Sequence, residues 1–154
     1  MADYFCDSSA LVKRHAEEVG TAWMQGICAP AAGNEVWAAR VTGAEVVSAF
    51  WRKVRGGTMS TANATKVTRA FKDHFRNQYR VVEVRAATIE EAMDLAQQHG
   101  LRGYDAVQLA SAKSVDADLQ SMGLPPLIFV SADDDLIVAA QKEGLATENP
   151  NSHA

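Results

Sequence analysis

Four acidic residues stand where an apolar stretch of the sequence gives way to a helical pattern. They lie in four separate segments, as Asp7, Glu45, Asp105 and Asp133, and each has Ala, Val or Leu within a few residues. If the fold brought them together, two carboxylates about 5 Å apart would repel each other by roughly 3 kcal/mol at an effective dielectric constant near 20. Protons or metal cations must neutralise such a cluster, and carboxylate oxygens select hard ions such as Mg²⁺ or Mn²⁺.

Short apolar runs alternate with helical patterns along the chain and indicate how these acids are positioned. The runs at residues 4–6, 35–41, 79–84, 127–130 and 145–148 predict strands, and the segments between them predict helices. This alternation predicts an α/β fold with a largely parallel sheet. Ligand sites in such sheets lie beyond the carboxyl ends of the strands. We therefore expect the acids that follow the strands, and Asp105 at the start of a helix, to share one rim of the sheet.

Capping residues predict where several helices begin. Thr42 with Glu45, and Thr88 with Glu91, have the capping-box spacing of a hydroxyl residue followed three positions later by an acid. Asp7 or one of the two serines after it is expected to cap the first helix.

The composition of the 154 residues is that of one ordinary globular domain, with 47% hydrophobic and 22% charged residues. No apolar run approaches the roughly 20 residues of a membrane helix, and no basic leader precedes an apolar stretch. Cys6 and Cys28 are too few for a disulfide framework and are expected to be small buried apolar residues. We therefore expect a cytoplasmic protein that does not associate with membranes.

Positive charge is concentrated in the middle of an acidic chain. Residues 40–85 carry ten basic and three acidic residues, a net charge of +7, whereas the whole chain has a net charge of −4. Such a segment suggests a local surface for an anionic partner, and a solvated helix face is the alternative. The four histidines lack metal-ligand spacing, and we expect them on the solvated surface: His15, His74, His99 and His153.

The segments around the four acids resemble one known family. The segments are residues 7–13, 45–49, 104–110 and 130–133, and the Tyr-Asp-Ala start of the third, followed by a helix of small and apolar residues, is the most diagnostic. In this order and spacing they are similar to the motifs of PIN-domain ribonucleases, in particular the VapC-type toxins of bacterial type II toxin–antitoxin systems. The resemblance covers nearly the whole chain.

The resemblance implies a fold, an activity and a site. The fold would be a PIN-like three-layer α/β/α arrangement with a central, mainly parallel sheet of four or five short strands, formed by residues 1–150 and followed by a short tail at 151–154. The activity would be hydrolysis of RNA phosphodiester bonds with Mg²⁺, or alternatively Mn²⁺. The resemblance assigns both the catalytic and the metal-binding role to the same four residues: Asp7, Glu45, Asp105 and Asp133. Ser9 and Ser131 would orient carboxylates or water, with helix capping as an equal alternative.

The resemblance also implies partners. They would be an RNA substrate, a cognate VapB-like antitoxin that occupies a groove between the first helices, and a second copy of the chain in a homodimer. Basic residues in the first and third predicted helices could border the groove and neutralise RNA phosphates: Lys13, Arg14, Arg52, Lys53 and Arg55. The fourth motif departs from the usual pattern because Asp133 is followed by two further aspartates, and Asp134 or Asp135 could share its role.

Two other classes of protein also place acids at strand ends. A Mg²⁺-binding receiver module that accepts a phosphoryl group needs paired acids after the first strand and a lysine after a late strand. Here Ser8 follows Asp7, and no lysine lies near Asp133. A haloacid-dehalogenase-type phosphatase needs an Asp-x-Asp sequence, and Ser9 occupies the second aspartate position. The receiver module remains the alternative function at this point.

Overall fold

The computed structural model describes residues 1–154 and contains five short strands and seven α-helices. The strands are β1 (Asp3–Cys6), β2 (Glu35–Ala39), β3 (Arg80–Val82), β4 (Ile128–Val130) and β5 (Ala146–Glu148). The helices are α1 (Ser8–His15), α2 (Thr21–Cys28), α3 (Thr42–Arg55), α4 (Thr61–Asn77), α5 (Ala86–His99), α6 (Gly103–Ser121) and α7 (Asp134–Lys142). Short 3₁₀ turns at Pro30–Ala32 and Pro150–Ser152 complete the chain.

The five strands form one parallel sheet in the order β3-β2-β1-β4-β5. The central strand β1 pairs on both sides, so that Phe5 lies between Trp37 of β2 and Phe129 of β4. The predicted parallel sheet of short strands is therefore confirmed, although β1 is one residue longer than its apolar run suggested and the other strands are one to three residues shorter. The order also differs from the 2-1-3-4-5 order of receiver modules, which argues against that alternative.

Helices cover both faces of the sheet because successive strand residues point to opposite sides. Phe5 and Phe129 face a core shared with α5, α6 and α7, and their rings stack with centroids 6.0 Å apart. Cys6 and Val130, the next residues along the same strands, face a second core shared with α1, α2, α3 and α4. The result is the three-layer α/β/α architecture that the family resemblance implied.

Both predicted capping boxes are wrong. Helix α3 includes Thr42 itself, and the Thr42 hydroxyl accepts a hydrogen bond from Gln108 of α6 at 2.8 Å instead of capping its own helix. Helix α5 begins at Ala86, two residues before Thr88, whose hydroxyl accepts from the Arg85 backbone N–H at 3.2 Å. In both cases the threonine lies inside the first turn of its helix, and its hydroxyl accepts from a residue other than the one that the capping box predicts.

No helix combines the length and the hydropathy that crossing a membrane requires. Cys6 and Cys28 are buried free thiols, one in β1 and the other at the end of α2, and both belong to the same apolar core.

The expectation that the histidines lie on the solvated surface is wrong, since none of the four is exposed. His15 is the clearest exception: it packs edge-on against Phe50 and Phe71 and stacks against His74. Its Nε2 atom is buried without a hydrogen-bond partner. Burial, together with the nearby His74 and Arg14, lowers the pKa of His15 to about 4.

This buried imidazole predicts a loss of stability in acid. Because the pKa of His15 falls from 6.5 to about 4 on folding, the stability associated with its neutral form is complete above pH 6.5 and is lost as the pH falls through 4. In the wild type we expect the free energy of unfolding to fall by about 2 kcal/mol for this reason, after a reduction for the part of the ring that solvent reaches. His15→Leu should abolish this loss. Urea unfolding of both proteins at pH 7, 5.5 and 4 measures this difference, and two curves that fall in parallel would contradict it.

Candidate active site

One cavity of about 600 Å³ collects all four acids singled out in the sequence. It lies beyond the carboxyl ends of β1 and β4, where Asp7 follows β1 and Asp133 follows β4. Glu45 reaches it from the first turn of α3, and Asp105 from the first turn of α6. Segments up to 126 residues apart in sequence thus contribute carboxylates to a single space.

Asp7 is the most buried of the four, with 3% of its surface exposed. It caps α1 through Oδ1, which accepts from the Ala10 backbone N–H at 2.9 Å and from the Ser9 hydroxyl at 2.7 Å. Its other oxygen, Oδ2, accepts from the Ser131 hydroxyl at 2.6 Å. Both carboxylate oxygens are therefore held in fixed directions.

These contacts give Ser9 and Ser131 the orienting role rather than the capping role. The Ser9 hydroxyl also accepts from the Ala132 backbone N–H at 2.9 Å, and the Ser131 hydroxyl accepts from the Asp133 backbone N–H at 3.1 Å. The two serines thereby tie the loop after β4 to the loop after β1. Helix capping is performed by Asp7 and Asp133 instead.

Burial raises the pKa of Asp7 to about 6, although the hydrogen bonds from Ser131, Ser9 and Ala10 lower it and the charge of Asp105 raises it further. Three hydrogen bonds to a carboxylate would ordinarily give a pKa well below 4. The folded protein therefore keeps at Asp7 a negative charge that its surroundings do not fully compensate. A cation in the cavity would supply the missing compensation.

Glu45 is held by residues from two other helices. Its Oε2 accepts from the Ser8 hydroxyl at 2.9 Å, and its Oε1 accepts from Gln108 Nε2 at 3.1 Å. The Gln108 amide is 1% exposed and also donates to Thr42, so it fixes both the start of α3 and the direction of the carboxylate.

Asp105 has no comparable support, since it accepts no hydrogen bond from the protein. Burial, followed by the charges of Asp133 and Glu45, raises its pKa to about 6, while Arg102 lowers it. The charges of Asp133 and Glu45 therefore act on Asp105 across the cavity, and the charge of Asp105 acts on Asp7.

Asp133 is the member of the aspartate triplet that lines the cavity. Its Oδ1 accepts from the backbone N–H groups of Asp135 and Leu136, at 2.9 and 3.3 Å, and so caps α7. Asp134 and Asp135 are exposed on the first turn of α7, and Asp134 accepts from Asn149 at 2.8 Å. Neither of them lines the cavity.

Two arginines border the acids, and only one of them was anticipated. Arg52 of α3 and Arg102, just before α6, both line the cavity, and Arg102 donates to the Tyr104 hydroxyl at 3.1 Å. Of the other basic candidates, Lys13 is 7% exposed and pairs with Glu18 at 2.9 Å, as does Lys53. Arg14 donates to Gln78 and Tyr79 in the interior, and Arg55 does not line the cavity.

Sequence reasoning missed three residues of the site: Ser8, Gln108 and Arg102. Gln108 offered a signal, because it lies three positions after Asp105 and residues with that spacing share a helix face. Ser8 offered none, because its partner Glu45 is 37 residues away.

The oxygen donors of the cavity fit Mg²⁺ or Mn²⁺ better than a softer ion, since no histidine or cysteine lines it. No three acidic, histidine or cysteine side chains lie close enough together to enclose an ion by themselves. Mg²⁺ is commonly held by one or two carboxylates, with waters and substrate phosphates completing its octahedron. An open cavity with four carboxylates around it is compatible with that mode of binding.

Comparison with known proteins places this geometry in context. Residues 4–142 match the PIN domain family. No curated protein matches the chain in sequence. Among solved structures, PAE2754 from Pyrobaculum aerophilum is 21% identical with a TM-score of 0.63, and the match covers 98% of this chain and 91% of that one.

Two further structures have the same fold. FitAcB from Neisseria gonorrhoeae is 16% identical with a TM-score of 0.57, covering 96% of this chain and 97% of that one. VapBC2 from Rickettsia felis, solved bound to a DNA fragment from its promoter, is 14% identical with a TM-score of 0.61, covering 96% and 98%.

Proposed function

Because this chain belongs to the PIN domain family, whose members are nucleases, we propose that it is a divalent-metal-dependent endoribonuclease. It hydrolyses RNA phosphodiester bonds and acts as the toxin of a VapBC-like toxin–antitoxin pair in the cytoplasm. The observation that carries the proposal is the convergence of four carboxylates, from four separate segments, on one cavity.

Asp7, Glu45, Asp105 and Asp133 would hold the ion, directly or through water. A bound Mg²⁺ or Mn²⁺ would supply an activated water and offset the negative charge that develops on the phosphate. The raised pKa values of Asp7 and Asp105 support this assignment, because the protein does not fully stabilise the negative charge of these two carboxylates and a bound cation would do so.

The protein's own groups would orient the reactants. Ser9 and Ser131 hold the Asp7 carboxylate, and Ser8 and Gln108 hold that of Glu45, so neither has to reorganise when substrate enters. Preorganised charge of this kind is commonly the largest contribution of an enzyme to catalysis. Arg52 and Arg102 also line the cavity, and their guanidinium groups would bind phosphates of the substrate.

The proposed partners follow from family membership and from the surface of the chain. A VapB-like antitoxin would cover the groove along the first helices, and an arginine inserted among the four carboxylates would pair with them and exclude the metal. A second copy of the chain would form a homodimer. Ile89 and Met93 on α5 are 41% and 53% exposed and supply apolar surface for such a contact.

The direct test is cleavage of RNA by the purified protein with defined metals. We expect fragments from a labelled single-stranded RNA pool in Mg²⁺ or Mn²⁺, none in EDTA, and none from DNA of the same sequences. Restoring the metal after EDTA should restore cleavage, which separates metal dependence from loss of the fold. Cleavage that continues in EDTA, or that treats DNA and RNA alike, would contradict the proposal.

A further inference from the structure

A second groove lies beside the active-site cavity, between α3 and α4. It has a volume of about 470 Å³, and only one of its lining residues is hydrophobic. The residues that matter for its chemistry are an aromatic ring and its partner, three cations and one acid: Trp51, Thr68, Arg69, Lys72, Arg76 and Asp73. None of them lines the cavity that holds the four carboxylates.

The three cations form a row along α4. Arg69, Lys72 and Arg76 are exposed and lie three and four positions apart, so they share one helix face over about 10 Å of helix axis. None of the three forms an ion pair with an acidic side chain. The Asp73 carboxylate also borders the groove and accepts from Asn77 at 2.8 Å. The lining therefore keeps an excess of two positive charges that the chain itself leaves unpaired.

Trp51 adds a fixed aromatic surface to this row. Trp51 is 37% exposed, and its Nε1–H donates to the Thr68 hydroxyl at 3.1 Å. This hydrogen bond holds the ring in place. Sites for single-stranded nucleic acid combine a positively charged groove along the backbone with aromatic rings on which bases stack. The α3–α4 groove has both components.

The groove and the proposed active site share helix α3. Trp51 and Arg52 are consecutive residues of α3, and Arg52 lines the active-site cavity while Trp51 lines the groove. A strand that leaves the cavity past Arg52 and crosses α3 would reach the Trp51 ring. We propose that this groove binds single-stranded RNA next to the cleaved bond, with phosphates on Arg69, Lys72 and Arg76 and a base stacked on Trp51.

This inference rests on the proposed function, because it extends the path of the same RNA substrate. An acidic protein segment is the other anionic ligand that such cations attract. Acidic side chains would pair with the three cations but would not stack on the indole ring of Trp51. RNA is favoured because its phosphates pair with the cations and every base has a face that can stack on the ring.

Binding measured without metal tests the groove separately from catalysis. Fluorescence anisotropy of a labelled single-stranded 12-nucleotide RNA, titrated with the full-length protein in EDTA, gives the affinity and its dependence on salt. Trp51→Leu removes the stacking surface, and Trp51→Phe keeps it while losing the hydrogen bond to Thr68. The double variant Arg69→Gln/Arg76→Gln removes two cations of the groove. Its matched control is Arg85→Gln/Lys142→Gln, which removes two exposed cations that lie outside the groove and away from α4.

We expect Trp51→Leu to weaken RNA binding by roughly 5- to 150-fold, the range found when one stacked base is lost, and Trp51→Phe to stay within a few-fold of the wild type. Arg69→Gln/Arg76→Gln should make the slope of log affinity against log salt less steep by about 1.4, with no such change in the control. Equal effects of the two double variants would overturn the groove. An RNA affinity that Trp51→Leu leaves unchanged would also overturn it. The same holds if poly-glutamate displaces RNA and binds Trp51→Leu as tightly as the wild type.

The two proposals fail in different ways. RNA that binds in EDTA with the expected dependence on Trp51, but is not cut when Mn²⁺ is added, would contradict the nuclease and leave the groove supported. RNA that is cut in Mn²⁺ by a protein whose Trp51 and Arg69/Arg76 variants bind normally would contradict the groove alone.

Discussion

Asp105→Asn is expected to abolish detectable RNA cleavage and, in cells, the growth arrest that expression of the protein should cause. Losing a residue that only supports a metal ligand costs roughly 10- to 100-fold in affinity or activity, and losing the charge of a ligand itself should cost more. Asp105 is the most informative choice because its carboxylate accepts no hydrogen bond from the protein and burial raises its pKa to about 6. The substitution keeps the size of the side chain and removes only its charge.

The matched control is Asp118→Asn, which makes the same chemical change on an exposed residue of the same helix. It should leave cleavage unchanged, since Asp118 lies outside the active-site cavity. Thermal unfolding separates loss of activity from loss of structure. The metal-free Asp105→Asn protein should be at least as stable as the wild type, because the substitution removes a charge that Asp133 and Glu45 repel. Cleavage at the wild-type rate by Asp105→Asn would show that the site is assigned to the wrong residues.

The parts of the fold that were predictable are those encoded by local pattern. Apolar runs separated by helical segments predict a parallel sheet, and chain direction then places the residues after β1 and β4 at one edge. The positions of Asp7 and Asp133 at that edge follow from this rule. The sequence motifs added Glu45 and Asp105, whose places depend on where α3 and α6 begin.

The parts that were not predictable depend on contacts that the local pattern does not encode. Thr42 has the local spacing of a helix cap, but the Gln108 amide of α6, 66 residues away, donates to its hydroxyl. Lys13 lies on the polar side of α1 by periodicity, yet it is buried against Glu18 because α1 ends at His15 and the chain turns back. His15, the last residue of α1, is likewise expected on the surface but packs against the rings of Phe50 and Phe71. Each error arose where a tertiary contact overrode a local preference.

Asp7→Asn is expected to have opposite effects on activity and on stability. Like Asp105→Asn, it should abolish metal-dependent cleavage, since it removes the charge of the most buried carboxylate of the site. In the metal-free protein it should increase the free energy of unfolding at pH 8. Folding raises the pKa of Asp7 from 3.8 to about 6. The stability associated with its protonated form is therefore complete below about pH 4 and is lost as the pH rises through 6, a cost of at most about 3 kcal/mol.

The asparagine can keep most of the hydrogen bonds of the aspartate. Its Oδ1 can still accept from Ala10 and Ser9, and its amide can donate to the Ser131 hydroxyl, which can act as donor or acceptor. Hydrogen bonds to a neutral group are weaker than those to a charged one, so we expect a net gain of about 1–2 kcal/mol at pH 8 and no gain at pH 4. Urea unfolding in EDTA at both pH values measures the difference, with Asp94→Asn on the exposed face of α5 as the control.

Adding metal should reverse the order of stability. Mn²⁺ at 100 times its dissociation constant stabilises a protein that binds it only when folded by about 2.7 kcal/mol, and the wild type should gain this while Asp7→Asn gains little. If Mn²⁺ does not stabilise the wild type, the proposed site does not bind this metal. An Asp7→Asn protein less stable than the wild type at pH 8 in EDTA would mean that Ser9, Ser131 and Ala10 already compensate the charge of Asp7. The buried carboxylate would then be a structural helix cap, and the need for a cation in this cavity would have to rest on Asp105.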